Sequence, residues 1–181
     1  MTWWQKLEDR IFGYGTATTL GVYRILISFL ALLAWLSLGR DVRAWFTDEG
    51  YVSAAALAQY DPAMALRWNP LPALSGNPGA VVAVYWLVAL AAICTMLGFQ
   101  TRIAAAVLAL GYVAFHHRNP VILNSGDTLI RQSLLILALA PSGRALSLDA
   151  WLAAKKGKPL DPMVSRWSTS MLQFQMAVMY G

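Results

Sequence analysis

From Gly79 to Phe99 the chain carries no charged side chain. As a helix that stretch is about 30 Å long, enough to cross the hydrocarbon core of a bilayer. A second apolar run, Thr18 to Leu38, has Arg24 as its one charge. Composition agrees with lipid as the solvent. Charged residues make up 13% of the chain, against about 25% in soluble domains. Hydrophobic residues make up 58%, and eight Trp and seven Tyr suit rings parked at a membrane–water interface. The fold class read from this pattern is an all-α integral membrane protein, a multi-pass helical bundle in one domain over residues 1–181. Its single cysteine, Cys94, lies in an apolar run and excludes an intrachain disulfide.

The order of segments predicts four membrane helices and the start of a fifth, with short interfacial helices. Met1 to Gly15 is polar and aromatic, with no signal-peptide pattern, and reads as an interfacial helix ending near Gly13. The first membrane helix follows from Thr18 to Leu38. In it Arg24 either reaches back to the headgroups or turns into the bundle toward an acid such as Asp127. The connection Gly39 to Leu74 mixes aromatics with Arg40, Asp41, Arg43, Asp48, Glu49, Asp61 and Arg67, which predicts a loop folded onto the membrane surface. Within it Ser53 caps a short helix to Tyr60. After Gly79 to Phe99, a tight turn at Gly98 to Arg102 leads into a third helix, Ile103 to Phe115. Its run of Ala and Gly allows close helix approach and places it inside the bundle. The fourth helix spans Thr128 to Leu139, with Ser125 or Asp127 as N-cap. A basic stretch with a surface helix, Asp149 to Ala154, precedes a fifth helix from Ser168. That last helix is too short to cross, so the chain reads as the N-terminal part of a longer bundle.

Positive charge orients such a bundle. With the N-terminus in the cytoplasm, the inner segments hold Lys6, Arg10, Arg102, Arg144, Lys155, Lys156, Lys158 and Arg166. The outer ones hold Arg40, Arg43, Arg67 and Arg118. The net charge of +5 therefore belongs to cytoplasmic loops and not to a nucleic-acid surface.

Between the third and fourth helices lies a polar cluster that holds both histidines of the chain, on the outer face. Polar groups at such a boundary are costly unless they pair or do something. His116 and His117 are candidate acid–base residues, because imidazole titrates near neutrality. Neighbours on a helix point about 100° apart, so the two do not form a metal pair, and no third ligand is spaced to complete a metal site. Arg118 stays charged and can hold a carboxylate, a phosphate or a quinone oxygen. Asn124, Gly126 and Asp127 form a turn whose backbone donors open the fourth helix. Asp127 and Arg131 are four apart and can pair along one face. The candidate ligand-binding set is Arg118, Asn124, Asp127 and Arg131.

The pattern Arg118-Asn119-Pro120-x-Ile122-x-Asn124-x-Gly126-Asp127-x-Leu129-x-Arg131, preceded by Gly98-Phe99-x-Thr101-Arg102, resembles the bacterial HTTM (horizontally transferred transmembrane) family, a relative of vitamin K-dependent gamma-carboxylase. Asp48-Glu49-Gly50-Tyr51-Val52, Pro141-Ser142-Gly143-x-x-Leu146-Ser147-Leu148-Asp149 and Leu172-Gln173-x-Gln175 extend the likeness over nearly the whole chain. The resemblance implies a bacterial inner-membrane protein with its working face outside, and reduced vitamin K or menaquinone as cofactor. The carboxylase uses a lysine base in the corresponding loop. Here that loop offers Arg118, and no lysine occurs between Lys6 and Lys155. Two functions follow as expectations. One is a quinone-dependent membrane enzyme with a possible protein substrate. The other is a non-enzymatic module that assists export or maturation of a partner. Beyond these the expected partner is the lipid bilayer.

Overall fold

A computed structural model describes residues 2–60, 66–74 and 76–181. Asp61, one of the loop charges counted above, lies outside them. The described chain is helical apart from one two-stranded ribbon. The helices are α1 (Trp3–Phe12), α2 (Ala17–Ser37), α3 (Val42–Phe46), α4 (Ala54–Tyr60), α5 (Pro78–Leu97), α6 (Thr101–Arg118), α7 (Ser125–Leu139), α8 (Leu148–Lys155) and α9 (Trp167–Tyr180). The ribbon pairs β1 (Tyr14–Thr16) antiparallel with β2 (Met163–Ser165), with Gly15 opposite Val164. The sequence pattern offered no sign of it, because three-residue strands are too short to show alternation.

Among the described residues, two helices, α2 and α5, are long and apolar enough to cross a membrane. The expected four crossings and the start of a fifth are met in part, since α6, α7 and α9 form where expected but fall short of that test. Both long helices turn a broad apolar face outward, with Leu26, Phe29, Leu30 and Leu33 on α2 and Trp86, Leu87, Leu90 and Ile93 on α5. That is the surface hydrocarbon solvates and water does not.

The bundle packs α5 on α6, α6 on α7, and α2 across α5 and α7, with α9 against α7. Small residues set these distances, as expected for α6. Ala105, Leu108, Ala109 and Tyr112 are buried, and a Cβ at Gly111 would lie 2.3 Å from Val88 Cγ2. The densest packing is a nest of rings where α2 ends. Trp35 stacks on Tyr85 at 4.7 Å, Tyr112 lies 4.8 Å from Trp35, and Phe115 meets Phe46 edge-on at 4.9 Å. Its polar tips are satisfied by helix carbonyls. Trp35 Nε1 donates to the Tyr85 carbonyl at 3.1 Å, Tyr112 to that of Ala31 at 2.6 Å, and the Tyr85 hydroxyl to that of Trp35. Polar side chains also join α2, α7 and α9: the Tyr23 hydroxyl lies 2.8 Å from Ser133 Oγ, and Gln175 Nε2 donates to the Leu129 carbonyl at 2.8 Å. Such bonds hold helices together where no hydrophobic gradient does.

The opposite end is fixed by two devices. Gly98 (φ 70°) and Gln100 (φ 45°) turn α5 into α6. The Asp149 carboxylate then accepts from the Gln100 and Thr101 amides, both at 2.8 Å, and from Thr101 Oγ1 at 2.6 Å, which caps α6 from a distant segment. The second device is Arg24. It neither reaches the surface nor meets Asp127. It is fully buried, and donates to the carbonyls of Ser142 at 2.5 Å and Leu146 at 2.6 Å. The turn can come this close because α2 presents Gly21, where a Cβ would sit 2.8 Å from the Ala145 carbonyl oxygen.

Candidate functional site

The polar cluster begins inside α6, which runs on through His116, His117 and Arg118 before Pro120 opens a single 3-10 turn, Pro120–Ile122. Of the four residues His116 to Asn119, the first then turns to Tyr112 and the other three to the first loop. His116 is 5% exposed, with its ring edge-on to Tyr112 at 5.0 Å and its Nδ1 without a hydrogen-bond partner. His117 points to the first loop, where Nδ1 lies 2.8 Å from the Trp68 carbonyl oxygen. A carbonyl only accepts, so Nδ1 carries the proton and Nε2 is left as the basic nitrogen. The two histidines thus diverge, as neighbours on a helix must.

Arg118 is 3% exposed. Its Nη2 meets Asp48 Oδ1 at 3.0 Å and the Val52 carbonyl at 3.2 Å, while Nη1 is buried without a partner among the described residues. Asn119 donates to the Trp45 carbonyl at 2.9 Å and accepts from the Val121 amide at 3.2 Å. Together His117, Arg118 and Asn119 fasten the connection after α3 over the end of α6. Asp48 serves twice, since its Oδ1 also accepts from the Ala54 amide at the start of α4 at 2.8 Å. Beneath this loop is a cavity of about 280 Å³ walled by Leu57, Ala58, Arg67, Asn69, His117 and Arg118. Apolar methyls and cationic or amide groups share its wall, which suits a flat ligand with oxygens at its edge.

The other predicted site residues lie elsewhere. Asn124, and not Ser125 or Asp127, is the N-cap of α7. Asn124 Oδ1 accepts from the Asp127 amide, and Asp127 Oδ2 accepts from the Asn124 amide, both at 3.1 Å. This reciprocal capping box occupies the carboxylate, and no ion pair forms between Asp127 and Arg131. Capping won over pairing because two orphan amides at a helix start are costlier to leave than a half-exposed arginine. Asp127 and Arg131 are close enough to act electrostatically on His116. The expected single site therefore divides: His117 and Arg118 line the loop cavity, while His116 sits with Asp127 and Arg131 on the bundle side. Sequence reading missed Asp48, Asn69 and Arg67 as wall and latch residues. The acidic-Gly element around Asp48 was the available signal, since carboxylates in an aromatic loop invite a buried cation. Among the described residues no group of three or more His, Cys, Asp or Glu is placed to hold a metal.

No curated protein and no solved structure matches the chain. A family model does: that of the HTTM domain aligns with residues 15–181, which takes in both crossing helices, the loop cavity and the capped start of α7. On that match over nearly its whole length, the chain belongs to the HTTM domain family.

Proposed function

We propose that this chain is a multi-pass membrane protein, N-terminus inside, that binds a quinone-type ligand in the loop-covered cavity at its outer face and exchanges protons with it. The observation that carries this reading is the half-used guanidinium of Arg118. It is almost wholly buried on the cavity wall, one terminal nitrogen is held by Asp48, and the other has no partner among the described residues. A buried donor of that kind is costly unless something fills it, and a carbonyl or hydroxyl oxygen would. A quinone, when bound, supplies two-electron redox chemistry. The residues supply the rest. Arg118 holds an oxygen and biases it toward the deprotonated form, His117 Nε2 takes or returns a proton, and Leu57, Ala58 and Pro72 exclude water from the ring. The loop in which the carboxylase keeps its lysine base offers Arg118 here, and arginine cannot act as the base. The reading is therefore quinone binding and proton exchange, without carboxylation.

The test is purified full-length protein in lipid nanodiscs with added menaquinone. Saturation at about 100 times Kd stabilises by about 2.7 kcal/mol, a rise of roughly 5–10 °C in the unfolding midpoint for a chain of this size. Arg118→Gln should abolish the rise. No bound quinone after purification and no shift on addition would overturn it.

A second reading has its own observation: Arg118, Asn119 and His117 all bond to the first loop. On that reading the cluster only holds the loop for a protein partner in export or maturation. Substitutions there would then lower protein abundance and function in parallel, whereas lost activity at unchanged abundance favours the quinone site.

A further inference from the structure

At the opposite end of the molecule a polar cavity of about 290 Å³ opens where β1 meets the first turns of α2 and α9. Its wall consists of Arg10, Gly15, Thr16, Thr19, Arg166, Thr169, Ser170 and Gln173. Two arginines from different elements therefore face one space, and the Arg166 side chain lies directly over Gly15. Neither has a carboxylate within 4.0 Å among the described residues. Two like charges brought together without a counter-charge repel, so the arrangement favours an anion between them. Hydroxyls and an amide complete a wall suited to phosphate oxygens.

The cavity is flanked by two apolar grooves. One, of about 670 Å³, runs between α1 and α9 along Ile11, Phe12, Trp167, Met171 and Phe174, and joins the polar cavity at Ser170. The other, of about 290 Å³, runs between α2 and α9 along Leu20, Tyr23, Leu172 and Met176, and joins it at Thr19, Thr169 and Gln173. A cationic pocket with an apolar groove leading away on each side of one helix has the shape of one ligand class: a phosphate esterified to two hydrocarbon chains.

We infer that this cavity seats the phosphate of an anionic glycerophospholipid, with one acyl chain in each groove beside α9. The arginines select the headgroup, and the grooves hold the chains. The lipid would then fill the gap between α9 and both α1 and α2.

Native mass spectrometry of the full chain, released from micelles supplied with equal phosphatidylglycerol and phosphatidylcholine, tests this. Each arginine near a membrane surface contributes about a 5-fold preference for anionic lipid. The wild type should retain one phosphatidylglycerol with a preference of about 30-fold. Arg10→Gln should reduce this to about 5-fold, and Arg10→Gln with Arg166→Gln should remove it, while Arg10→Lys keeps it. Arg10 and Arg166 are exposed, so the folded protein should survive these changes, and an unchanged unfolding midpoint checks that. Equal retention of the two lipids by the wild type, or a preference unaltered in the double variant, overturns the inference. So does competition by millimolar glycerol 3-phosphate or inorganic phosphate as effective as that by the intact lipid, which would mean a free-anion site.

Discussion

Replacing Arg24 by Met tests how a buried cation hydrogen-bonded to backbone carbonyls can hold two ends of a bundle together. In the wild type the guanidinium gives short bonds to the carbonyls of Ser142 and Leu146 and a longer one, 3.4 Å, to that of Ala145. Charge-assisted hydrogen bonds contribute about 1.5–3 kcal/mol each in net terms, so the two short ones amount to about 3–6 kcal/mol. Leu146 adds to this. It sits at φ 52°, a conformation that a leucine enters only at a cost, and the bond to its carbonyl holds it there. Against that stands desolvation of a cation whose Nε has no partner. Methionine, of similar length, recovers some of this cost, because replacing buried charge with apolar volume gains about 1–4 kcal/mol when the remaining partners are content. Here they are not, as two carbonyls would stay dry and without donors. The expected net loss is about 2–4 kcal/mol, a fall of roughly 5–15 °C in unfolding midpoint measured in nanodiscs. Arg24→Lys should fall between, since one ammonium cannot span both carbonyls. A methionine variant as stable as the wild type, or more stable, would refute the reasoning: the turn would then be held by its own geometry.

Four further substitutions probe the same architecture by the same measurement. Gly21→Ala raises helix propensity by about 1 kcal/mol, yet should destabilise, because its Cβ meets the Ala145 carbonyl oxygen at 2.8 Å and lifts the turn off Arg24. Asn124→Ala removes the cap of α7 and should cost about 1 kcal/mol, while Arg131→Gln should stay within about 0.5 kcal/mol of wild type. The reverse order would mean that an Asp127–Arg131 pair carries the stability after all. Trp35→Ala should cost about 3–5 kcal/mol through loss of the ring nest and of the bond to the Tyr85 carbonyl; a loss below about 1 kcal/mol would show that the nest repacks around the hole.

Helices were legible because lipid-solvated helices need long uncharged runs, and Gly79 to Phe99 is such a run. Caps were half legible. The turn before α7 was evident as a helix start, but three neighbouring residues within four positions, Asn124, Ser125 and Asp127, can all accept from an amide, and backbone angles decide among them. Arg24 was visible as an anomaly and its partner was not. Any acid in the chain suggests itself from sequence, whereas backbone carbonyls, which every residue carries, do not. Division of the His116 to Arg131 cluster was equally hidden. One residue of helical rotation separates the loop cavity from the bundle side, and only the packing of Tyr112 and the loop fixes that angle.

The short ribbon between β1 and β2 bears on how the chain is made as well as on how it stands. Ser165 Oγ donates to the Phe12 carbonyl 153 positions earlier, and the Arg166 amide to that of Gly13. The base of the first crossing helix is thus anchored by a strand that emerges from the ribosome long after it. At about 5–20 residues per second, α2 waits roughly 8–30 s for its anchor. For most of that interval the buried arginine is also without its partners, since the carbonyls of Ser142 and Leu146 lie 118 and 122 positions after it. A lag of that length, in which the nascent protein is open to proteases and membrane chaperones, is written into the order of its elements.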